Sequence, residues 1–244
     1  MDQLIVFIIV AIVIIIIFIS YFFSKKAIIK RKLKNAEFKS IGDFKDGEIA
    51  KIVGNVEFID EPLISPLSNR KCSYYYIHIE QQVSSGKNSR WKTIIEKEVS
   101  SKFLIREGTN FAFINDNNLK CYIVQDRSFS SGVFNDATEN LEKYLNSQGH
   151  ESEGFLGFNK TIRYKEGILE SEEKIAVFGK GIWKDVITLE LPEKYEKVLE
   201  ITSSEGVAIY LSDDPDTTLK KVKKDNHLTK NRHRSHKQRY SKKH

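Results

Sequence analysis

Residues 63–79 read LISPLSNRKCSYYYIHI, and the reading of this stretch decides the fold. Pro62 and Pro66 bracket its start, and a residue before proline avoids the helical region, so the stretch opens in turn or extended geometry. From Cys72 onward it is rich in aromatic and β-branched residues, which predicts a long strand. Alternation places Tyr74, Tyr76 and His78 on one face and Tyr75, Ile77 and Ile79 on the other. The second face is the more apolar and is expected to meet the core, with Tyr75 burying its ring. The first is either an aromatic ledge open to a ligand or a half-buried surface under a loop.

Outward from this strand the same period continues. IAKIVGNVEFID alternates, with Gly54-Asn55 as a bulge or tight turn. VSSGKNSRW is a polar turn, and WKTIIEKEV returns to make a hairpin. KFLIRE, NFAFIND and KCYIVQD, separated by turns at Gly108-Thr109 and Asn117-Asn118, read as a meander. Residues 136–150 change period: Leu141, Tyr144 and Leu145 share a helical face, and Gly149 suits the C-terminal cap. Two more strands flank Ser171-Glu172-Glu173, and a last hairpin is expected about Glu205-Gly206. DPDTTLKKVKK begins with acids and ends with lysines, the charge order of a helix. The expected class is mainly β (α+β), a mostly antiparallel domain with one or two helices.

The N-terminus is different. Residues 4–23, LIVFIIVAIVIIIIFISYFF, carry no charge, and about 20 apolar residues span a bilayer as a helix. A cleaved signal peptide would have a basic start, a shorter apolar core and a small-residue cleavage site; none of these is evident, so a retained anchor is expected. Lys25, Lys26, Lys30, Arg31, Lys32 and Lys34 follow the span while Asp2 precedes it. Bases beside a span stay cytoplasmic. The expected placement is the cell inner (plasma) membrane, N-terminus out and body cytoplasmic, with Cys72 and Cys121 reduced.

The 244 residues carry a net charge of +6, unevenly spread. Residues 25–39 hold seven bases and one acid, residues 220–244 hold 11 bases and one acid, and the segment between holds 21 bases and 30 acids. The chain thus divides into an anchor over 1–24, a basic juxtamembrane helix over 25–44, a β domain over 45–224 and a basic tail over 225–244, whose composition predicts disorder. Lys25, Lys26, Lys30, Arg31 and Lys32 are expected to face anionic lipid headgroups, or simply to end the span. The tail is a candidate for nucleic acid or lipid, although Tyr240 is its only aromatic residue.

Catalytic signals are sparse. No phosphate loop, Rossmann fingerprint, G-x-S-x-G or H-E-x-x-H occurs, and no cofactor or metal is implied. Cys72 lacks a neighbouring base: in a regular strand His78 would share its face but lie roughly 20 Å away. Glu166, Glu170, Glu172 and Glu173 read as a solvated turn unless other strands bring acids to meet them.

Taken together, Gly54, Val56, Pro62, Leu63, Ser65, Pro66, Leu67, Cys72, Tyr74, Tyr75, Trp91, Phe113, Asp116, Tyr164, Glu166, Gly179, Ser212, Asp213 and Pro215 form a pattern behind a membrane span. It resembles the GIDE, or beside-a-membrane, domain family. That family occurs in a membrane-anchored mitochondrial RING ubiquitin ligase and in many bacterial and archaeal membrane proteins. The resemblance covers roughly residues 45–220 and implies a membrane-attached domain, with Pro62, Leu63, Ser65, Pro66, Cys72, Tyr75, Tyr164, Glu166 and Gly179 as motif positions. The ligase relatives carry a C-terminal RING with about eight Cys/His ligands. Here His227, His233, His236 and His244 come without cysteines, so ligase activity is not implied. The expected function is a single-pass, cytosol-facing, non-catalytic interaction module near the membrane. The alternatives are a ligase-type or hydrolytic relative using the Tyr76 and His78 face, and a nucleic-acid-binding tether.

Overall fold

The computed structural model describes residues 2–85, 88–116, 119–130, 138–150 and 160–220. The expected turns at Gly86-Lys87 and Asn117-Asn118, the lysine-rich end of DPDTTLKKVKK and the basic tail lie outside the described residues.

Two helices lead into the body. α1 (Asp2–Phe22) contains a stretch, Gln3–Phe22, of 20 residues with no part of it buried. It is long and apolar enough to cross a bilayer, as a membrane anchor or a signal sequence would be. α2 (Lys25–Asn35) follows after two residues. Ser24 caps it, its hydroxyl oxygen accepting from the Ala27 N–H at 3.3 Å. Its Ile29 and Leu33 are buried.

The strands are β1 (Ile49–Phe58), β2 (Leu63–Ile64), β3 (Lys71–Cys72), β4 (Tyr74–Ser85), β5 (Asn88–Ser100), β6 (Phe103–Glu107), β7 (Asn110–Ile114), β8 (Leu119–Tyr122) and β9 (Arg127–Ser130). Helix α3 (Glu139–Ser147) comes next, then β10 (Ile162–Leu169), β11 (Lys174–Asp185), β12 (Lys197–Thr202) and β13 (Ile209–Ser212). β1 pairs with β6, β6 with β7, β7 with β12, β12 with β11, and β11 returns to β1, closing a small five-stranded barrel. Within that ring only β7 and β12 are parallel. This connectivity is that of a Greek-key barrel of the OB type.

The other strands extend the barrel or are inserted between its strands. β4, β5, β9 and β10 form a second, antiparallel sheet in the order β5-β4-β10-β9. The β2–β3 ribbon and the β4–β5 hairpin enter between the first and second barrel strands, and β9, α3 and β10 between the third and fourth.

Alternation explains the cores. Ile52, Val56, Ile105, Ala112, Ile175, Val177, Leu199 and Ile201 fill the barrel. The intervening Leu104, Phe113 and Val198 point outward and are covered by Val186, Leu189, Leu191 and Tyr195, which precede β12. Val53, Ala176 and Phe178, also outward, are covered by Ile29 and Leu33 of α2. Gly179 faces the tight interior: a Cβ there would stand 2.5 Å from Ile201 Cγ2. In the second sheet, Tyr75, Ile77, Ile79, Ile162, Tyr164 and Ile168 lie under Leu141, Tyr144 and Leu145 of α3. Thr138 caps α3, and Gly149 at φ +76° ends it in a Schellman turn, with His150 N–H donating to the Leu145 carbonyl at 2.9 Å.

Three local expectations change, while the turn expected at 171–173 is present. Gly54-Asn55 is neither bulge nor turn: β1 runs through it, and the missing side chain leaves room for the Arg106 carbonyl, which a Cβ would approach at 2.6 Å. β8 leaves the meander and pairs parallel with β13, because closure of the ring gives the free edge of β7 to β12. β10 and β11 flank one turn but enter different sheets. β12 and β13 are not a hairpin; both pair with β11, at Lys180–Asp185 and at Ala176–Phe178, so they follow each other along one edge.

Candidate functional site

Most motif positions of the tyrosine-rich stretch and of β10 converge on the face of the second sheet that α3 covers. The Ser65–Arg70 loop is closed at its base by the Leu63–Cys72 and Ile64–Lys71 pairs. Ser65 N–H donates to the Arg70 carbonyl at 2.9 Å, and Asn69 takes φ 56° to complete the turn. The buried Ser65 hydroxyl donates to Glu166 Oε1 of β10. Glu166 itself is 1% exposed, and its Oε2 is buried with no hydrogen-bond partner among the described residues. Pro62 and Pro66 are half-buried beside this loop, while Tyr75 and Tyr164 lie in the core under α3. Gly179 stands apart, inside the barrel.

Cys72 is fully buried in that same core, together with Leu67 and Tyr75. A bend at Ser73 separates it from β4, so it lies on the side opposite His78 rather than on the shared face a regular strand would give. Burial first, and then the nearby Glu166 and Glu170 carboxylates, push its thiol up to about 11. At neutral pH it is a packed thiol and not a nucleophile.

Beside this loop is a cluster of acids that sequence reading did not assemble. Arg70 Nε donates to Glu170 Oε1 at 2.9 Å, with a second contact from its Nη2 to Oε2, and its Nη1 lies 4.0 Å from Asp126 Oδ2. Ile168 N–H donates to Asp126 Oδ2 at 3.3 Å. Asp213 accepts from Val124 N–H at 2.8 Å, and Glu173 accepts from Glu170 N–H at 2.9 Å. Glu173 and Asp213 are close enough to perturb each other's titration. Burial pushes Glu173 up to about 7 and Asp213 up to about 6. These groups sit on the segments linking the sheets, which no local pattern announces. Among the described residues no cluster of three or more His, Cys, Asp or Glu is arranged to hold a metal ion.

The tyrosine face is covered at one end and open at the other. Tyr74 is 6% exposed and packs into the barrel core. Burial pushes its phenol far above the usual range, helped by the nearby Cys121 and Glu98. Tyr76 is half-buried and donates to Glu96 Oε1 at 3.1 Å. Its ring stacks on His78, 6.4 Å between centroids. The His78 Nε2, however, bonds Thr93 Oγ1 at 3.1 Å instead of a carboxylate. Burial also raises the Tyr76 phenol, which makes it a poor base at neutral pH. A cleft of about 180 Å³ runs beside Tyr74 and Tyr76, with Glu96, Glu98, Lys25 and Lys26 among its walls.

The bases of α2 divide between the body and the end of α1. Lys25 pairs with Glu98 at 2.9 Å. Lys32 lies 4.5 Å over the ring of Phe178, and Lys26 lies 4.9 Å over that of Tyr122. Lys30 pairs with Asp214 at 2.7 Å and with Asp216 at 3.3 Å, and Lys34 also reaches Asp216 at 3.2 Å. Arg31 folds back over the Phe22 ring at 4.2 Å. Lys30 and Lys32 are thus turned at least partly toward the protein, a placement the run of lysines alone does not reveal. Comparison with protein-family models, curated proteins and solved structures finds no match for this chain.

Proposed function

We propose that this chain is a single-pass membrane protein whose GIDE-like body is a non-catalytic interaction module held at the cytoplasmic surface of the inner membrane. The observation that carries the reading is the splice between anchor and body. Only Phe23 and Ser24 separate α1 from α2, and Ile29 and Leu33 of α2 are part of the body's own packing. A body joined in this way has no flexible linker, so its surface stays at a fixed height above the bilayer. The interaction reading is supported by the tyrosine face, where Tyr76, His78 and Glu96 stand partly or fully open beside a cleft next to the anchor. It is also supported by two buried thiols with raised pKa, which argue against cysteine chemistry.

The test is topology and extraction on the full chain. The protein should resist alkaline carbonate extraction. A single cysteine placed at exposed Ile187, in a variant lacking Cys72 and Cys121, should react with an impermeant maleimide only after permeabilisation. Labelling in intact cells would overturn the cytoplasmic placement, and release by carbonate would overturn the anchor.

A further inference from the structure

We propose that the elbow between α1 and α2 is a binding site for the phosphate of an anionic phospholipid headgroup. The inference rests on the membrane-anchored reading above and names a ligand for it.

A cavity of about 390 Å³ opens at this elbow. The end of α1 supplies Tyr21, the break supplies Ser24, and α2 supplies Lys26, Ala27, Lys30, Arg31 and Lys34. Positions 26, 30 and 34, with 27 and 31 beside them, recur at helical spacing and form one stripe of α2. The buried Ile29 and Leu33 belong to the other side, so the stripe is set by how α2 docks.

The charges in the cavity are not all neutralised. Asp216 is the acid on its wall, and it engages Lys30 and Lys34, with Asp214 behind Lys30. Lys26 and Arg31 have no carboxylate partner among the described residues. Lys26 lies over Tyr122, while Arg31 lies over Phe22 and its Nη1 donates to the Phe22 carbonyl at 3.4 Å. That back-folded arginine closes the elbow against the last turn of the span. The ion pairs to Asp216 hold Lys30 and Lys34 in place on the opposite wall. Ala27, small and between the bases, leaves the space they surround.

The depth also fits. A bilayer's polar layer adds roughly 5–8 Å beyond each side of the hydrocarbon core. Ser24 to Ala27 follow the last residue of the span by two to five positions. A phosphodiester at that level meets ammonium and guanidinium groups at once, each suited to an anionic oxygen. Acyl chains of the same molecule would lie along α1, which a free phosphate cannot use.

The test uses the full-length protein in nanodiscs of phosphatidylcholine with a minor share of phosphatidylglycerol, reading the phosphatidylglycerol retained per protein after exchange into pure phosphatidylcholine. Wild type should retain about one molecule. Lys26→Gln/Arg31→Gln should lower the retention affinity about ten- to thirty-fold, the effect of two near-surface bases. Lys25→Gln/Lys32→Gln removes the same charge away from the cavity and should change it less than three-fold. Ala27→Trp fills the space without altering charge and should match the first pair. Equal losses for both charge pairs, or no loss for Ala27→Trp, would reduce the effect to general surface attraction and overturn the site. Displacement of the lipid by excess inorganic phosphate would assign the cavity to soluble phosphate and overturn the lipid. Failure of the protein to remain in nanodiscs at all would instead overturn the anchor, and with it the parent reading.

Discussion

Ser65 donates its hydroxyl to Glu166, 101 residues further along the chain, with both side chains buried and the second oxygen of Glu166 left without a partner among the described residues. The bond ties the proline-bracketed loop to the middle of β10. Ser65→Ala would strand the carboxyl at both oxygens, and a buried polar group so abandoned costs about 1–3 kcal/mol, more if charged. Urea denaturation should show that loss. Adding Glu166→Leu to Ser65→Ala should recover part of it, because no polar group then remains to be stranded. A double variant whose loss equals the sum of the single losses would mean that the pair is not coupled.

Lys51 makes a different kind of tie. It is 1% exposed on β1, and its Nζ donates to the carbonyls of Thr217 and Leu219 at 3.0 and 2.9 Å. The segment after β13 is therefore held against the outer wall of the barrel by a buried side chain. Lys51→Met keeps the stem but removes the donor. The Thr217 amide, which donates to the Asp214 carbonyl at 2.8 Å, should then exchange its proton at least about tenfold faster, the equivalent of one lost hydrogen bond. Amides of the barrel strand β6 should be unaffected. Equal acceleration in both places would mean that Lys51 supports the whole fold and not this segment.

The Glu173–Asp213 pair gives the fold a pH signature of definite sign. The two carboxyls are raised from ordinary values of 4.5 and 3.8 to about 7 and about 6, chiefly by burial. Between those values the folded protein holds protons that the unfolded chain has released, so stability must fall as pH rises through the window. The pair's contribution is complete below about pH 4 and is lost by about pH 8. Glu48, Glu80, Glu107 and Asp216, lowered by their ion pairs, act the opposite way and only at acid pH. Urea midpoints should therefore fall from about pH 5 to pH 8, and Asp213→Asn should flatten that slope. A midpoint that rises over this range in wild type would contradict the buried pair.

Which of these features the sequence discloses follows from the range of the forces involved. Alternation in YYYIHI assigns Tyr75, Ile77 and Ile79 to the core, because one-sided burial leaves a period-two record in a single strand. The helix around Leu141 and Tyr144 is equally legible, with its cap at Gly149. Barrel closure is not, since the meeting of β1 with β11 and of β7 with β12 depends on sheet curvature that no local segment encodes. The apparent hairpin at 205–206 misleads for the same reason: a good turn brings two strands near but does not choose their partners. Glu166 was visible as a motif position, and Ser65 as another, yet their bond follows only from the docking of the β2–β3 loop on β10. Glu173 was legible as part of an acidic turn and Asp213 as a motif position, but nothing local brought them to each other or to Asp126.

The two thiols offer a direct check on how closed the two cores are. Cys72 is 0% exposed and Cys121 is 5% exposed, and both are free. Burial pushes Cys72 up to about 11 and Cys121 higher still. Alkylation proceeds through the thiolate, so both factors act together to slow it. At about pH 8 in the native state neither thiol should be labelled by N-ethylmaleimide on the time scale of minutes, and both should react at once in urea. Cys121 contacts Tyr74 where the hairpin and the barrel meet, so Tyr74→Ala should make it reactive while Cys72, under α3, stays protected. Labelling of Cys121 in the unmodified native protein would show instead that the sheets part there, and that the cleft beside Tyr76 extends inward to the barrel.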